Sequence, residues 1–442
     1  MSDITYPAEL AITPLTKPPS ATVTVPGSKS ITNRALVLAA LGGIHSCELR
    51  GALQSEDTAV MIDSLRKLGC DARDFTIEPD EEDPTNIFIS HPEQLELAPP
   101  HADLFVANSG TTIRFLTAML GTLKGKFRLD GIPRMRERPI EELLDGMRQL
   151  GVDASSETGN GCPPVIVNAN GQMGGTARIR GDRSSQFLSA LLMVGPFTQT
   201  ETVIEIEGEL VSEPYVAMTL AMIDQFGYRV DVGPGHRYRF PPQQPRHFCG
   251  GYDIEPDASA ASYFWAAAAI TGGRVTVSAL NRKSLQGDVR FVDVLEQMGC
   301  RVEECDAGIT VHGKPLRGVD VDMNDISDTV MTLGAVACFA DGPTTIRNVG
   351  HIRHKETDRI AALATELRKL GAAVEEREDG LTITPRPLTG CAVDTYNDHR
   401  MAMSLALVGL KVPGVVIRNP GCVAKTYPGF WQDFQALSRD PV

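Results

Sequence analysis

LRKLG occupies Leu65–Gly69 and returns unchanged at Leu367–Gly371. Three variants lie between them, MRQLG ending at Gly151, IDQFG at Gly227 and LEQMG at Gly299, so the closing glycines stand 82, 76, 72 and 72 residues apart. Each phrase ends an amphipathic pattern. Before Gly371, Ile360, Leu363, Leu367 and Leu370 keep helical spacing, which predicts a helix with the glycine at its C′ position. A second phrase recurs six times: a helix of small and apolar residues, a turn, then a β-branched strand. Its helices are expected at Ala35–Leu41, Ile113–Leu120, Phe187–Val194, Ala260–Ile270, Val330–Phe339 and Met401–Leu410, with strands starting near Ile44, Lys126, Thr202, Arg274, Thr344 and Val415. Helices apolar nearly all round belong in a core rather than on a surface.

Six units of about 70 residues account for nearly all of the 442 residues. The sixth lacks a Gly-closed helix after residue 415, so the N-terminal segment is expected to complete it. The stretch Gly233–Gly251 is rich in Pro and Gly and lacks periodicity, which makes it the linker candidate. Two similar three-unit domains follow, at 28–250 and at 1–27 plus 251–442, with the cleft between them as the expected ligand site.

A 42% apolar chain has enough material for large cores, and a formal charge of −14 argues against nucleic-acid and anionic-membrane partners. Nine Cys without a C-x-x-C pair read as reduced thiols of a cytoplasmic protein. The opening Met1-Ser2-Asp3 lacks the basic and apolar regions of a signal peptide, and no apolar run reaches the length of a membrane span.

Against this acidic background, cations gather where helix dipoles disfavour them. Lys29 and Arg34 bracket the first buried helix, Arg114 follows NSGTT, Lys355 and Arg359 flank the start of the helix that ends at Gly371, and His399-Arg400 open the last helix. Four such starts point to a phosphate- or carboxylate-binding surface. Ser184, Ser185 and Gln186 add donors at a further start, while Asp257 and Asp328 occupy the equivalent place in later units, where capping is the plainer reading. PGSKS lacks the glycines of a phosphate-binding P-loop, and His351 and His354 have no acidic or Cys cluster to complete a metal shell. No metal and no redox cofactor is implied.

With those residues in view, the chain resembles the 5-enolpyruvylshikimate-3-phosphate synthase family. The matching segments are PGSKSITNRA, NSGTTIRFL, PRMRERPI, SSQFLSALL, VSEPY, DASAASY, QGD, HKETDR, YNDHRMAM and CVAKTYP, in order along nearly the whole chain. The resemblance implies an α/β (α+β) fold of two domains, each three βαβαββ repeats around buried parallel helices, closing on substrate. It implies transfer of the enolpyruvyl group of phosphoenolpyruvate to the 5-hydroxyl of shikimate 3-phosphate by a monomer, without metal or covalent intermediate. Carried over residue by residue, Lys29, Asn108, Gly110, Thr111, Arg134, Gln186, Glu356, Arg359, Arg400 and Lys425 would hold phosphoenolpyruvate. Lys29, Ser30, Arg34, Ser184, Ser185, Gln186, Ser212, Tyr215, Asp328, His351 and Lys355 would hold shikimate 3-phosphate. Asp328 would be the base and Glu356 the acid, with Lys29 assisting. His351 departs from the family, where many relatives carry Asn. Glyphosate would compete with phosphoenolpyruvate, and a methyl group at 110 would project toward the donor site. The related UDP-N-acetylglucosamine enolpyruvyl transferases fit less well, because their Cys-bearing PGGCAIGARP loop is replaced by PRMRERPI from Pro133. A non-catalytic scaffold for anionic ligands is the other reading, one that would need neither Asp328 nor Glu356.

Overall fold

A computed structural model describes residues 4–69, 75–90, 99–245 and 248–438; Met1-Ser2-Asp3, read above for targeting, lies outside them. The chain divides into two compact units, Gly27–Ile254 and Met1–Pro26 with Glu255–Val442.

The unit 27–254 holds three four-stranded sheets. The middle one shows the plan. His101–Phe105 leads through helix Gly110–Gly121 to the parallel strand Lys124–Asp130. Helix Glu141–Gln149 then precedes the hairpin strands Asp153–Ser156 and Val165–Asn170, which close the sheet in antiparallel pairing. A parallel pair needs a crossover and takes a helix, whereas the antiparallel pair is joined directly. The βαβαββ order repeats from Gly175–Arg180 to Arg237–Phe240. In the first sheet of this unit the opening strand comes from the far end: Phe248–Asp253 lies parallel to Gly43–Arg50.

The other unit borrows in the same way. Ser20–Val23 pairs in parallel with Arg274–Ser278, which helix Ala258–Thr271 precedes. Asp320–Asp322 opens a second four-stranded sheet. The third has three strands, Glu9–Ala11 running antiparallel to Val416–Arg418, which is parallel to Ala392–Val393.

Two sequence readings change here. Gly233–Gly251 is no linker, because it contributes strand Arg237–Phe240 and most of Phe248–Asp253. The chain crosses between units at Pro26–Gly27 and Ile254–Glu255, one and four residues from the expected limits. Short strands with Gly and Pro between them imitate a linker in composition alone.

The helices Lys29–Gly42, Gly110–Gly121, Ser185–Val194, Ala258–Thr271, Val330–Ala337 and His399–Gly409 are buried along almost their full length, Phe264 and Trp265 included. Of the five glycines closing the outer helices, Gly151, Gly227, Gly299 and Gly371 take φ of 85–112°, the left-handed turn where Gly avoids a Cβ clash. Gly69 ends its helix at φ −94° instead.

Candidate active site

In the unit 27–254 the three buried helices begin at one end. The Asn33 amide nitrogen donates to Thr111 Oγ1 at 2.8 Å, Arg114 Nη1 donates to Gln186 Oε1, and Arg34 Nη2 donates to Ser189 Oγ at 3.2 Å. None of the three has an acidic residue in its first turn. Ser109 caps the second helix and Ser184 the third, each hydroxyl accepting a backbone N–H. Their partial positive charges are therefore gathered without side-chain anions in those turns, which suits an anionic ligand.

Lys29, Ser30, Gln186 and Tyr215 are half-buried, while Thr111 and Ser185 are buried. Lys29 Nζ stands 3.3 Å from the buried carboxylate of Asp57. Ser212 sits at φ 53°, an uncommon conformation for serine, immediately before helix Glu213–Gln225.

Arg34, expected on shikimate 3-phosphate, makes four hydrogen bonds within the protein. It is only 1% exposed, with Nε donating to Thr219 Oγ1, Nη1 to the Ser30 carbonyl, and Nη2 to Ser189 Oγ and the Tyr215 carbonyl. Its cation also lies over the Phe115 ring. Burial pushes this guanidinium down to about 10, still protonated at neutral pH. Four of its donors serve the protein, so Arg34 fixes the backbone beside Ser30 and Tyr215 rather than offering a free charged face.

Arg134, expected on the donor, is half-buried beside a short turn. The 3₁₀ turn Met135–Glu137 leaves its side chain 33% exposed and paired with Glu137 at 2.8 Å. Four residues on, Arg138 is 4% exposed and folds back onto Asn108, its Nη1 donating to the Asn108 carbonyl at 3.1 Å. Among the described residues no carboxylate pairs with Arg138, and its Nε lacks an acceptor. A Cβ added at Gly110 would stand 2.4 Å from Arg138 Nη2 and 2.9 Å from Cζ. The methyl expected to point at the donor site would thus press on a guanidinium.

The other unit holds a denser cluster. The Asp328 carboxylate accepts from Lys355 Nζ at 3.1 Å, Arg359 Nη1 at 3.0 Å and Arg400 Nη2 at 2.7 Å. Glu356 accepts from Arg359 Nη2 at 2.8 Å and lies 3.3 Å from Lys425 Nζ. The fully buried Asp398 takes Arg359 Nε at 2.8 Å and caps the last buried helix through the Arg400 N–H. Arg359 thus spends its fork on three carboxylates. Lys355, Arg359, Arg400 and Lys425 pair here with Asp328, Glu356 and Asp398, and the buried Asp288 lies within electrostatic reach of Asp328 and Arg400. An entering anion must compete with Asp328 and Glu356 for these donors.

Capping does not account for either acid. Thr329 stands at the N-cap of Val330–Ala337 and Asp358 caps Arg359–Lys369, so Asp328 and Glu356 are held by cations instead. Asp257 is a cap, accepting from Ala260 N at 2.8 Å.

His351 Nε2 lies 3.0 Å from Ser327 Oγ, next to Asp328 in sequence. Burial, then the nearby Lys355 cation, pushes this imidazole down to about 3, so it is neutral at pH 7. Below the ordinary histidine value near 6.5 the unfolded chain binds a proton that the folded one refuses. Stability should therefore fall on acidification from about pH 6.5 toward 3, by at most about 1.4 kcal/mol per pH unit from this group. Urea midpoints at pH 7, 6 and 5 should show a shallower fall in His351→Asn than in the parent. Equal slopes would assign the acid sensitivity elsewhere.

The EPSP synthase (3-phosphoshikimate 1-carboxyvinyltransferase) family model matches residues 15–434. The chain belongs to the EPSP synthase family. A 3-phosphoshikimate 1-carboxyvinyltransferase of Nostoc punctiforme is 47% identical, covering 96% of this chain and 98% of its own. One from Shewanella loihica is 44% identical over 98% of this chain and the whole of its own. Among solved structures, EPSP synthase from Acinetobacter baumannii superposes with a TM-score of 0.79 at 25% identity, covering 97% of this chain and 98% of that one. The enolpyruvyl transferase NikO from Streptomyces tendae shares the fold, with a TM-score of 0.74 at 20% identity over 98% of each chain.

Reading this EPSP synthase family member by sequence missed Arg138, Asp57 and Asp398. The three arginines of PRMRERPI, Arg134, Arg136 and Arg138, look alike in sequence, and only the turn Met135–Glu137 separates their directions. Asp57 and Asp398 had a visible signal, an acid at a helix start opposite an unmatched cation, but no spacing links Asp57 to Lys29 or Asp398 to Arg359.

Proposed function

We infer that the chain transfers the carboxyvinyl group of phosphoenolpyruvate to the 5-hydroxyl of shikimate 3-phosphate and releases phosphate, a step of aromatic amino acid biosynthesis. One observation carries the reading beyond family membership: Asp328 and Glu356 share one buried guanidinium, Arg359, on Nη1 and Nη2. A base and an acid are thereby held side by side at a cation suited to an anionic donor.

In this reading Lys355 orients shikimate 3-phosphate so that its 5-hydroxyl meets Asp328, which takes the proton as oxygen attacks the enol carbon. Glu356 delivers a proton to the methylene, giving a methyl group on a tetrahedral centre. Removal of a methyl proton and departure of phosphate restore the double bond. Arg359, Arg400 and Lys425 hold the donor's negative charge, and the resemblance adds Arg134 to them. Ser30, Ser184, Ser185, Gln186, Ser212 and Tyr215 supply neutral donors for the sugar-acid phosphate, and Lys29 supports the leaving phosphate. The biosynthetic role carries a cytoplasmic location and a monomeric enzyme with it; no helix among the described residues is long and apolar enough to cross a membrane.

Phosphate release with phosphoenolpyruvate and shikimate 3-phosphate, compared with UDP-N-acetylglucosamine as acceptor, tests the assignment. Release is expected with the first acceptor and not the second. The reverse pattern would assign the reaction to the sister activity.

A further inference from the structure

Tyr396 and Asn397 stand consecutively in left-handed backbone, at φ 54° and 55°. That region is sterically disfavoured for a bulky side chain and persists where the surroundings over-determine it. Here the surroundings are identifiable. The Tyr396 hydroxyl donates to Glu366 Oε1 at 2.6 Å, and the Asp394 N–H donates to Glu366 Oε2 at 3.1 Å. Lys369 Nζ supplies a third donor at 2.8 Å, and Asn419 donates to Asn397 Oδ1 at 3.1 Å. Glu366 is fully buried, an expensive place for a carboxylate that only fills space.

The turn leads directly into the cation cluster. Asp398 follows it, with its N–H on the Thr395 carbonyl and its carboxylate on Arg359 and the Arg400 N–H. Arg359 and Glu366 lie seven residues apart on helix Arg359–Lys369, hence on one face. That face grips the turn at both ends, through Asp398 at one and through Asp394 and Tyr396 at the other.

We propose that Glu366 is a positioning residue for the reaction, holding through Tyr396 the left-handed turn that sets Asp398 and aims Arg400. The proposal rests on the reading that Arg359 and Arg400 receive the donor. Glu366 touches no reacting group; it fixes the distance between two helix starts whose cations must meet one ligand.

Hydrogen exchange and initial rates together test it, using the full-length chain. Tyr396→Phe and Glu366→Gln should speed exchange of the 394–400 amides by about tenfold or more. The KM for phosphoenolpyruvate should rise about fivefold or more, with that for shikimate 3-phosphate changing less than about twofold. Arg368→Met, on the same helix but bonded to the Val374 carbonyl, should do neither. Unchanged exchange at 394–400, faster exchange with an unchanged donor KM, or an Arg368→Met variant behaving like Glu366→Gln would each overturn the proposal. Should Glu366→Gln fail to fold, Tyr396→Phe decides alone. A parent protein without turnover would sink the assigned reaction, while the exchange arm would still decide whether Glu366 holds the turn.

Discussion

Asp328→Asn and Glu356→Gln are each expected to lower kcat by about a hundredfold or more, the usual scale for losing a positioned acid or base. Both substitutions keep shape and polarity; Asp328→Asn removes a negative charge from among Lys355, Arg359 and Arg400, and Glu356→Gln removes the group that must carry the proton. Neither adds a carboxylate that competes with incoming anions for those donors. The KM for phosphoenolpyruvate should therefore hold or fall while turnover collapses. Loss of a binding group would do the opposite and raise KM first. Steady-state kinetics on folded variants separates these outcomes, and near-normal kcat in either would return that acid to a structural role.

The second large effect belongs to Arg138. Truncating a buried charged hydrogen-bonding partner costs about 2 kcal/mol or more, roughly 30-fold in affinity. Arg138→Ala should raise the KM for phosphoenolpyruvate by at least that factor. Arg134→Ala removes the cation that the resemblance places on the donor and should raise it by about tenfold or more. Gly110→Ala joins the same series, since its methyl must displace the Arg138 guanidinium. It should raise the substrate KM as well as any glyphosate inhibition constant. A mild Arg138→Ala would show that its hold on Asn108 does not reach the donor, and a mild Arg134→Ala would remove Arg134 from the donor site.

These variants also mark how far the sequence could be read. The Gly-closed phrases and the six apolar helices disclosed the repeat because a helix end and a buried face each impose a local pattern. Lys355, Glu356, Arg359 and Arg400 stood out because cations at helix starts run against the dipole. Side-chain direction in an irregular turn imposes no such pattern, so Arg134 and Arg138 could not be told apart. Nor could the sequence show that Arg34, one helical turn past Ser30, points into the interior toward Ser189 and Thr219. Gly233–Gly251 misled because turn residues dominate the composition of short strands and linkers alike.

The borrowed strands carry a consequence for the order in which the protein can be made. The unit 27–254 is an uninterrupted insertion, and its first sheet is completed by its own last strand, Phe248–Asp253. A ribosome that has released residue 254 has released every strand of that unit. The other unit is split. Glu9–Ala11 and Ser20–Val23 leave the ribosome first, yet their partners Val416–Arg418 and Arg274–Ser278 come about 400 and 250 residues later. The two early strands must wait with open edges, and open edges invite pairing with other chains. Their length of three and four residues limits that hazard. Nascent chains stalled far enough past residue 254 for it to clear the ribosome should thus carry a folded insertion behind a short, unpaired N-terminal segment.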